Sequence, residues 1–195
     1  VRGHPFASAR RRTDRAFFAG IPPLPPVCGN LMNPDKPAAA ADTNFCLDVH
    51  SGALFDCLAD FGHPVFLLDV TEREITKQNP AIFRNSGLRL DSATAEELSG
   101  VAELRKKYPA PSTPDLIALI TCKNRGWILL TGDGHLRKAA ELEKVRCHGI
   151  IWFLDQLEGK IPAHRLHTSL RNIIKAGAYR PLAECHKRLA KWRAP

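Results

Sequence analysis

At 195 residues, 44% of them hydrophobic and 25% charged, the chain has the composition of one globular domain with room for a sizeable core. No apolar run approaches the ~20 residues that a membrane span needs, and the first thirty residues lack the apolar centre of a signal peptide. The net charge of +8 is unevenly placed: residues 1–31 carry +4, residues 32–159 carry −4 and residues 160–195 carry +8. An acidic centre beside a basic flank suits a metal site next to a polyanion-binding surface, although a solvated helix face explains the basic end equally well. The six cysteines, Cys28, Cys46, Cys57, Cys122, Cys147 and Cys185, form no C-x-x-C pair. They read as reduced, buried thiols of a cytoplasmic protein and give no support for a zinc site.

In chain order, residues 1–36 show neither helical nor strand periodicity, and RRRTDR followed by IPPLPP predicts a disordered, basic and proline-rich segment. Met32 is the only methionine and is the expected biological start, with the preceding residues an upstream translated region; a basic arm touching nucleic acid is the other reading. Residues 37–160 carry the pattern of one domain, and 161–195 that of a basic helical extension packed on it. Residues 38–41, four alanines, stand where a first strand would end at Asp42, but alanine is a poor strand former and only the resemblance given below supports a strand there. A helix is expected over 48–61, closed by Gly62 and Pro64. VFLL at 65–68 reads as a buried strand and TEREITKQN as a helix opening, 79–87 as a loop, and 88–90 as an edge strand. Ser92 and Thr94 precede one amphipathic helix running to Pro109.

The centre of the chain is STPDLIALITCKNRGWILLTGDGHL, residues 112–136. Ser112, Pro114 and Asp115 open a helix that buries Leu116, Ile117, Leu119 and Ile120 and stops near Gly126; residues 127–131 form the next strand. The helix spans roughly 15 Å at 1.5 Å per residue, and the strand returns roughly 16 Å at about 3.3 Å per residue. Asp115 and Asp133 therefore meet at the carboxyl edge of a sheet, where open α/β sheets bind ligands. Each acid also has a purely local explanation, Asp115 as a capping-box residue and Asp133 as a turn former between Gly132 and Gly134. A short helix follows over 135–142, a last strand over 145–147 and another helix from Ile150. Pro162 opens a helix bearing Leu166, Leu170, Ile173 and Ile174, interrupted at Gly177. A final stripe then carries Leu182, Cys185, Leu189 and Trp192 among basic residues. Strands alternating with helices at this spacing predict a mostly parallel sheet covered on both faces.

Asp42, Asp115 and Asp133 thus fall at strand ends or helix starts on one edge, with Glu74 as a fourth acid. Like charges so close are costly unless a cation neutralises them, and carboxylate oxygens select hard divalent ions, Mg²⁺ or Mn²⁺. Such an ion lowers the pKa of bound water and stabilises charge developing on a phosphodiester. No G-x-G-x-x-G or P-loop follows a strand, which argues against a nucleotide-binding domain. Trp127, Trp152 and Trp192 fall on apolar patterns and are expected in the core rather than stacked on bases.

The pattern resembles the PIN-domain family of metal-dependent ribonucleases, in a prokaryotic, toxin-like subgroup. The family's D-T-N after the first strand is present as Asp42-Thr43-Asn44, and its helical glutamate before an apolar residue as Glu74-Ile75. Its serine or threonine three positions before an aspartate is matched by Ser112 and Asp115, and its L-L-T-x-D-x-x-L-R block by residues 129–137. The resemblance covers about residues 38–193. It implies a three-layer α/β/α sandwich with additional C-terminal helices, and an endoribonuclease in which Asp42, Glu74, Asp115 and Asp133 hold Mg²⁺ or Mn²⁺. Thr43, Asn44, Ser112 and Thr131 would support those ligands. Many members are toxins of toxin–antitoxin pairs, dimeric and silenced by an antitoxin peptide at the cleft. The resemblance therefore implies RNA, an antitoxin and a second copy of the chain as partners, and no membrane. Two positions depart from the family's pattern: alanines replace the bulky first strand, and His135 stands where some members carry another acid. The other class of reading is a non-catalytic PIN-fold module that holds RNA or a protein with its basic C-terminal helices.

Overall fold

The computed structural model describes residues 36–78, 88–177 and 181–193. The expected start at Met32, Cys28, the loop at 79–87 and Arg180 lie outside them. The chain forms an α/β fold, a three-layer sandwich in which the five strands found among the described residues are all parallel and lie between two layers of helices. The strands are β1 (Ala39–Ala41), β2 (Val65–Leu68), β3 (Arg89–Asp91), β4 (Ile128–Leu130) and β5 (Cys147–His148), in the order β3-β2-β1-β4-β5. The strands of the first half run outward from β1 in one direction, and β4 then returns to its other side. The order reverses between β1 and β4, and the carboxyl ends of these two strands define the crevice of the fold.

The alanine strand exists and is central. Ala39 and Ala41 face one core and Ala40 the other, all without exposure beyond 1%. Strand propensity is overridden here because β1 is paired on both sides and needs only to be apolar and thin enough for helices to close on both faces.

Asp42 follows at once and caps α1 (Thr43–Ser51) by accepting from the Phe45 N–H at 2.6 Å. The helix expected over 48–61 is therefore replaced by one that starts five residues earlier and breaks at Gly52. A Cβ on Gly52 would lie 2.8 Å from Leu54 Cδ1 and 2.9 Å from Ile173 Cδ1, and Ala53 takes φ +52° as the chain turns away. A 3₁₀ turn (Phe55–Cys57) and the short α2 (Leu58–Phe61) complete the segment, ended by Gly62 in the left-handed region. β2 occupies the expected residues, and α3 (Asp69–Gln78) starts two residues before the expected opening.

The single helix expected before Pro109 is two, α4 (Ala95–Ser99) and α5 (Val101–Lys107). They part at Gly100, where a Cβ would fall on Ile120 Cδ1, so any side chain at that joint would require the Ile120 side chain to move. That helix, α6 (Thr113–Arg125), has the Ser112 cap and the left-handed Gly126 stop that its sequence specifies. Ile120 is only partly buried, because it serves this joint at the margin of the core. α7 (Gly134–Leu142) leads to β5, which is shifted two residues beyond the expected start. α8 (Ile150–Leu157), α9 (Ala163–Lys175) and α10 (Leu182–Lys191) follow.

One core lies between the sheet and α1, α2, α8, α9 and α10, and joins Phe45, Phe61 and Phe153 to Leu166, Leu170, Ile173, Cys185 and Trp192. The other lies against α5, α6 and α7 and holds Leu104, Leu116, Leu119, Leu129 and Leu136. Trp192 is buried as expected, whereas Trp127 and Trp152 pack at the margins, and Leu182 stands 55% exposed. Cys46, Cys57, Cys122, Cys147 and Cys185 are free thiols, the first three and the last of them buried. Among the described residues no helix is long and apolar enough to cross a membrane.

Candidate functional site

The carboxyl ends of β1 and β4 are only one residue and three residues away from an aspartate. Asp42 directly follows β1, and its backbone N–H donates to Leu130 O at 3.0 Å, which pins the end of β1 to β4. Its side chain is 2% exposed. One oxygen takes the Phe45 N–H and the other takes a short hydrogen bond from the Thr131 hydroxyl. Burial pushes the Asp42 carboxyl up to about 8, with the charges of Asp115 and Asp48 adding to the rise and the two hydrogen bonds opposing it.

Asp133 caps α7: its Oδ1 accepts from the His135 and Leu136 N–H groups at 2.8 and 2.7 Å. Its own N–H donates to Thr131 Oγ1 at 2.9 Å. The Thr131 hydroxyl, fully buried, thus donates to one acid and accepts from the backbone of the other.

Asp115 occupies the third position of α6 in a reciprocal cap: its N–H donates to Ser112 Oγ at 3.2 Å and its Oδ2 accepts from the Ser112 N–H at 2.8 Å. Desolvation raises the Asp115 carboxyl, and the charges of Asp133 and Glu74 raise it further against those hydrogen bonds. Glu74, half-buried on α3, accepts at Oε2 from Thr43 Oγ1 at 2.5 Å. The four acids therefore form one electrostatic group around the β1/β4 crevice, and each is also held by a local donor. Thr43, Ser112 and Thr131 support them directly. Asn44 is exposed and makes no hydrogen bond to any of them; its Cβ faces Gly132, across 3.6 Å from where a side chain there would begin.

Two further groups belong to this region: Asp48, which the sequence did not single out, and Arg137, which with Lys138 stands near enough to Asp133 in sequence to meet a phosphate, although a solvated helix face explains both equally. Asp48, buried on α1, is a fifth acid that raises Asp42, and a Cβ on Gly132 would lie 3.7 Å from its Oδ2. Its signal was present as a charge on the inward face of a helix that also buries Phe45 and Val49, but the late helix start hid that face. Arg137, exposed on α7, leans over Gly149, where a Cβ would lie 3.1 Å from its Nη1.

The donor set is all carboxylate and hydroxyl oxygen, the chemistry that hard divalent cations take. A buried carboxyl raised to about 8 is the kind of group a cation would return to its charged form. Among the described residues no group of three or more His, Cys, Asp or Glu side chains forms a ready-made metal cage. No protein-family model matches the chain, and no curated protein matches it.

Proposed function

We propose that the chain is a Mg²⁺- or Mn²⁺-dependent endoribonuclease of the PIN type. The observation that carries this reading is the pair Asp42 and Asp133 at the carboxyl ends of β1 and β4, where the strand order reverses, tied through Thr131 and within electrostatic reach of Asp115 and Glu74. Asp42, Glu74, Asp115 and Asp133 would hold the ion. Once bound, the ion supplies charge neutralisation at the scissile phosphate and acidifies water there. The chain's own part is to hold these carboxylates in place. Thr131 holds Asp42, Thr43 holds Glu74 and the cap of α6 holds Asp115, and an ion would draw their oxygens together from these positions. Toxin activity restrained by an antitoxin, and a homodimer, extend the same reading. A small overlapping upstream reading frame would support the toxin–antitoxin pairing.

The test is cleavage of a mixed RNA substrate in Mn²⁺, Mg²⁺ and EDTA by the wild type and by Asp42→Asn. Metal-dependent cleavage lost in Asp42→Asn is expected. Full activity in EDTA, or in the variant, overturns the proposal.

One observation favours a second reading: every carboxylate of the group is satisfied by its own cap or hydroxyl without an ion. A non-catalytic module would keep these caps for stability and hold RNA or a protein with its basic C-terminal helices. Salt-dependent RNA binding with no metal-stimulated cleavage would select it.

A further inference from the structure

Beside Asp133 the surface opens into a cleft of about 550 Å³ that the acids do not account for. Its near rim is Thr131, Gly132 and Gly134, on either side of Asp133, and its floor is the start of α8 with Ile150 and Trp152. The size is that of a site for one small organic ligand. Two features of the lining define what that ligand is.

The first is charge. Arg188 on the far wall is already neutralised, both of its outer nitrogens being engaged: Nη2 meets Asp155 at 2.6 Å and Nη1 meets Glu184 at 2.9 Å. The Arg137 guanidinium makes no hydrogen bond or ion pair with any described residue; only its backbone N–H is engaged, donating to Asp133 O at 3.0 Å. Its Nη1 lies over Gly149, 3.1 Å from where a Cβ there would stand, and it lines the open cleft. A planar guanidinium without a carboxylate partner is suited to a phosphate.

The second is a fixed aromatic wall. The Trp152 indole stacks on His148 with centroids 4.0 Å apart and planes 15° from parallel, and meets Phe61 edge-on at 5.3 Å. Both Trp152 and His148 remain partly exposed in the cleft. His63 also meets the indole at 5.8 Å, so the pair offers a base only the part of its surface that remains exposed in the cleft, a contact made without regard to sequence.

We infer that this cleft is a nucleotide subsite for single-stranded RNA, with the base against Trp152 and His148 and its phosphate on Arg137. The identity of the polymer rests on the ribonuclease reading above. The subsite itself rests on the cleft. Because the cleft joins the residues flanking Asp133, a strand presenting one phosphate to the acids lays an adjacent nucleotide in it. A base paired within a duplex cannot reach the wall, so the subsite restricts the substrate to unpaired RNA.

The test is binding in EDTA, where cleavage is not required, of a short fluorescein-labelled oligouridine, followed by anisotropy at several salt concentrations. Arg137→Gln is expected to weaken binding about tenfold and to reduce the salt slope by about one. Because Arg137 is exposed, the variant is expected to keep the wild-type melting temperature. The same RNA as a duplex is expected to bind at least about tenfold more weakly than the single strand. A 4-thiouridine oligonucleotide is expected to cross-link to the peptide containing His148 and Trp152 in the wild type and to lose that adduct in Arg137→Gln. Unchanged affinity in Arg137→Gln, with cross-links elsewhere and Mn²⁺-dependent cleavage intact, overturns the subsite and leaves the nuclease reading standing. The expected binding and adduct without any cleavage in Mn²⁺ support the subsite while removing the nuclease reading. Absence of RNA binding overturns the subsite, and absence of cleavage in Mn²⁺ as well overturns both.

Discussion

Thr131 has one hydroxyl proton, and it goes to the carboxylate of Asp42 rather than to any group of its own strand. The same oxygen receives the Asp133 N–H, so a single buried side chain sets the relative position of two acids that are 91 positions apart in the chain. Thr131→Val keeps the shape and removes both bonds. It is expected to lower metal-dependent cleavage by roughly 10–100-fold and to cost about 1–3 kcal/mol in urea unfolding, because two buried polar groups lose their partner. Asp42 carries the opposite expectation for stability. Its carboxyl stands at about 8 in the folded chain against an ordinary 3.8, so the folded state binds the extra proton between those values. Stability drawn from this group is therefore full below pH 3.8 and lost as pH rises towards 8. Without divalent ion, Asp42→Asn is expected to melt higher than wild type at pH 8 and to converge on it in acid, while losing cleavage. A variant that melts lower at pH 8 would contradict this account of the site.

Elements carry the acids to the crevice through their ends. Three of the four acids sit in the first turn or at the cap of a helix, so helix capping and site assembly are one design. Ser112→Ala removes the acceptor for the Asp115 N–H and is expected to cost about 1 kcal/mol, with a fall in cleavage because Asp115 is no longer fixed. Chemical denaturation and kinetics on the same preparation check both effects. β1 offers a test of why alanine is used in a strand. Ala40 is fully buried in the core under α6, in one cluster with Leu68, Leu116, Leu119 and Leu129. Ala40→Val improves strand propensity yet is expected to destabilise by about 1–3 kcal/mol through overpacking. A higher melting temperature for that variant would show that propensity, not packing, limits the strand.

For the molecule as a whole, the C-terminal helices are part of the core that supports the site. Leu166, Leu170 and Ile173 of α9, with Cys185 and Trp192 at α10, pack in the same cluster as Phe45, which follows Asp42 in the first turn of α1. Leu170→Ala is expected to cost about 2–5 kcal/mol in equilibrium unfolding although it lies far from the acids in sequence. The opposite layer is clamped by Glu143 at the end of α7, which accepts from Lys107 at 2.5 Å, Lys123 at 2.7 Å and the Tyr108 hydroxyl at 2.7 Å. Those donors hold its carboxyl down at about 2 against an ordinary 4.5. Its stabilising effect is present above 4.5 and lost as pH falls through about 2. Wild type is therefore expected to melt above Glu143→Gln at neutral pH, and that advantage is expected to disappear over this acid range.

Local grammar in the sequence determined the α/β class, the parallel sheet, β2, the span of α6 and the positions of the acids next to strand ends. Caps, glycine stops and apolar periodicity act over a few residues and are visible without the fold. The start of α1, the divisions at Gly52 and Gly100 and the two-residue shift of β5 were decided by tertiary packing. At both glycines a side chain from a distant helix, Ile173 beside the local Leu54 at Gly52 and Ile120 at Gly100, occupies the space that a Cβ would need. The same holds at the crevice: the letters place Asp42, Glu74, Asp115 and Asp133, but the bridging role of Thr131, the burial of Asp48 and the position of the Arg137 guanidinium over Gly149 exist only once β1, β4 and β5 lie side by side. Hydrogen bonding, desolvation and steric fit depend on neighbours in space, and the chain alone does not say which residues those are.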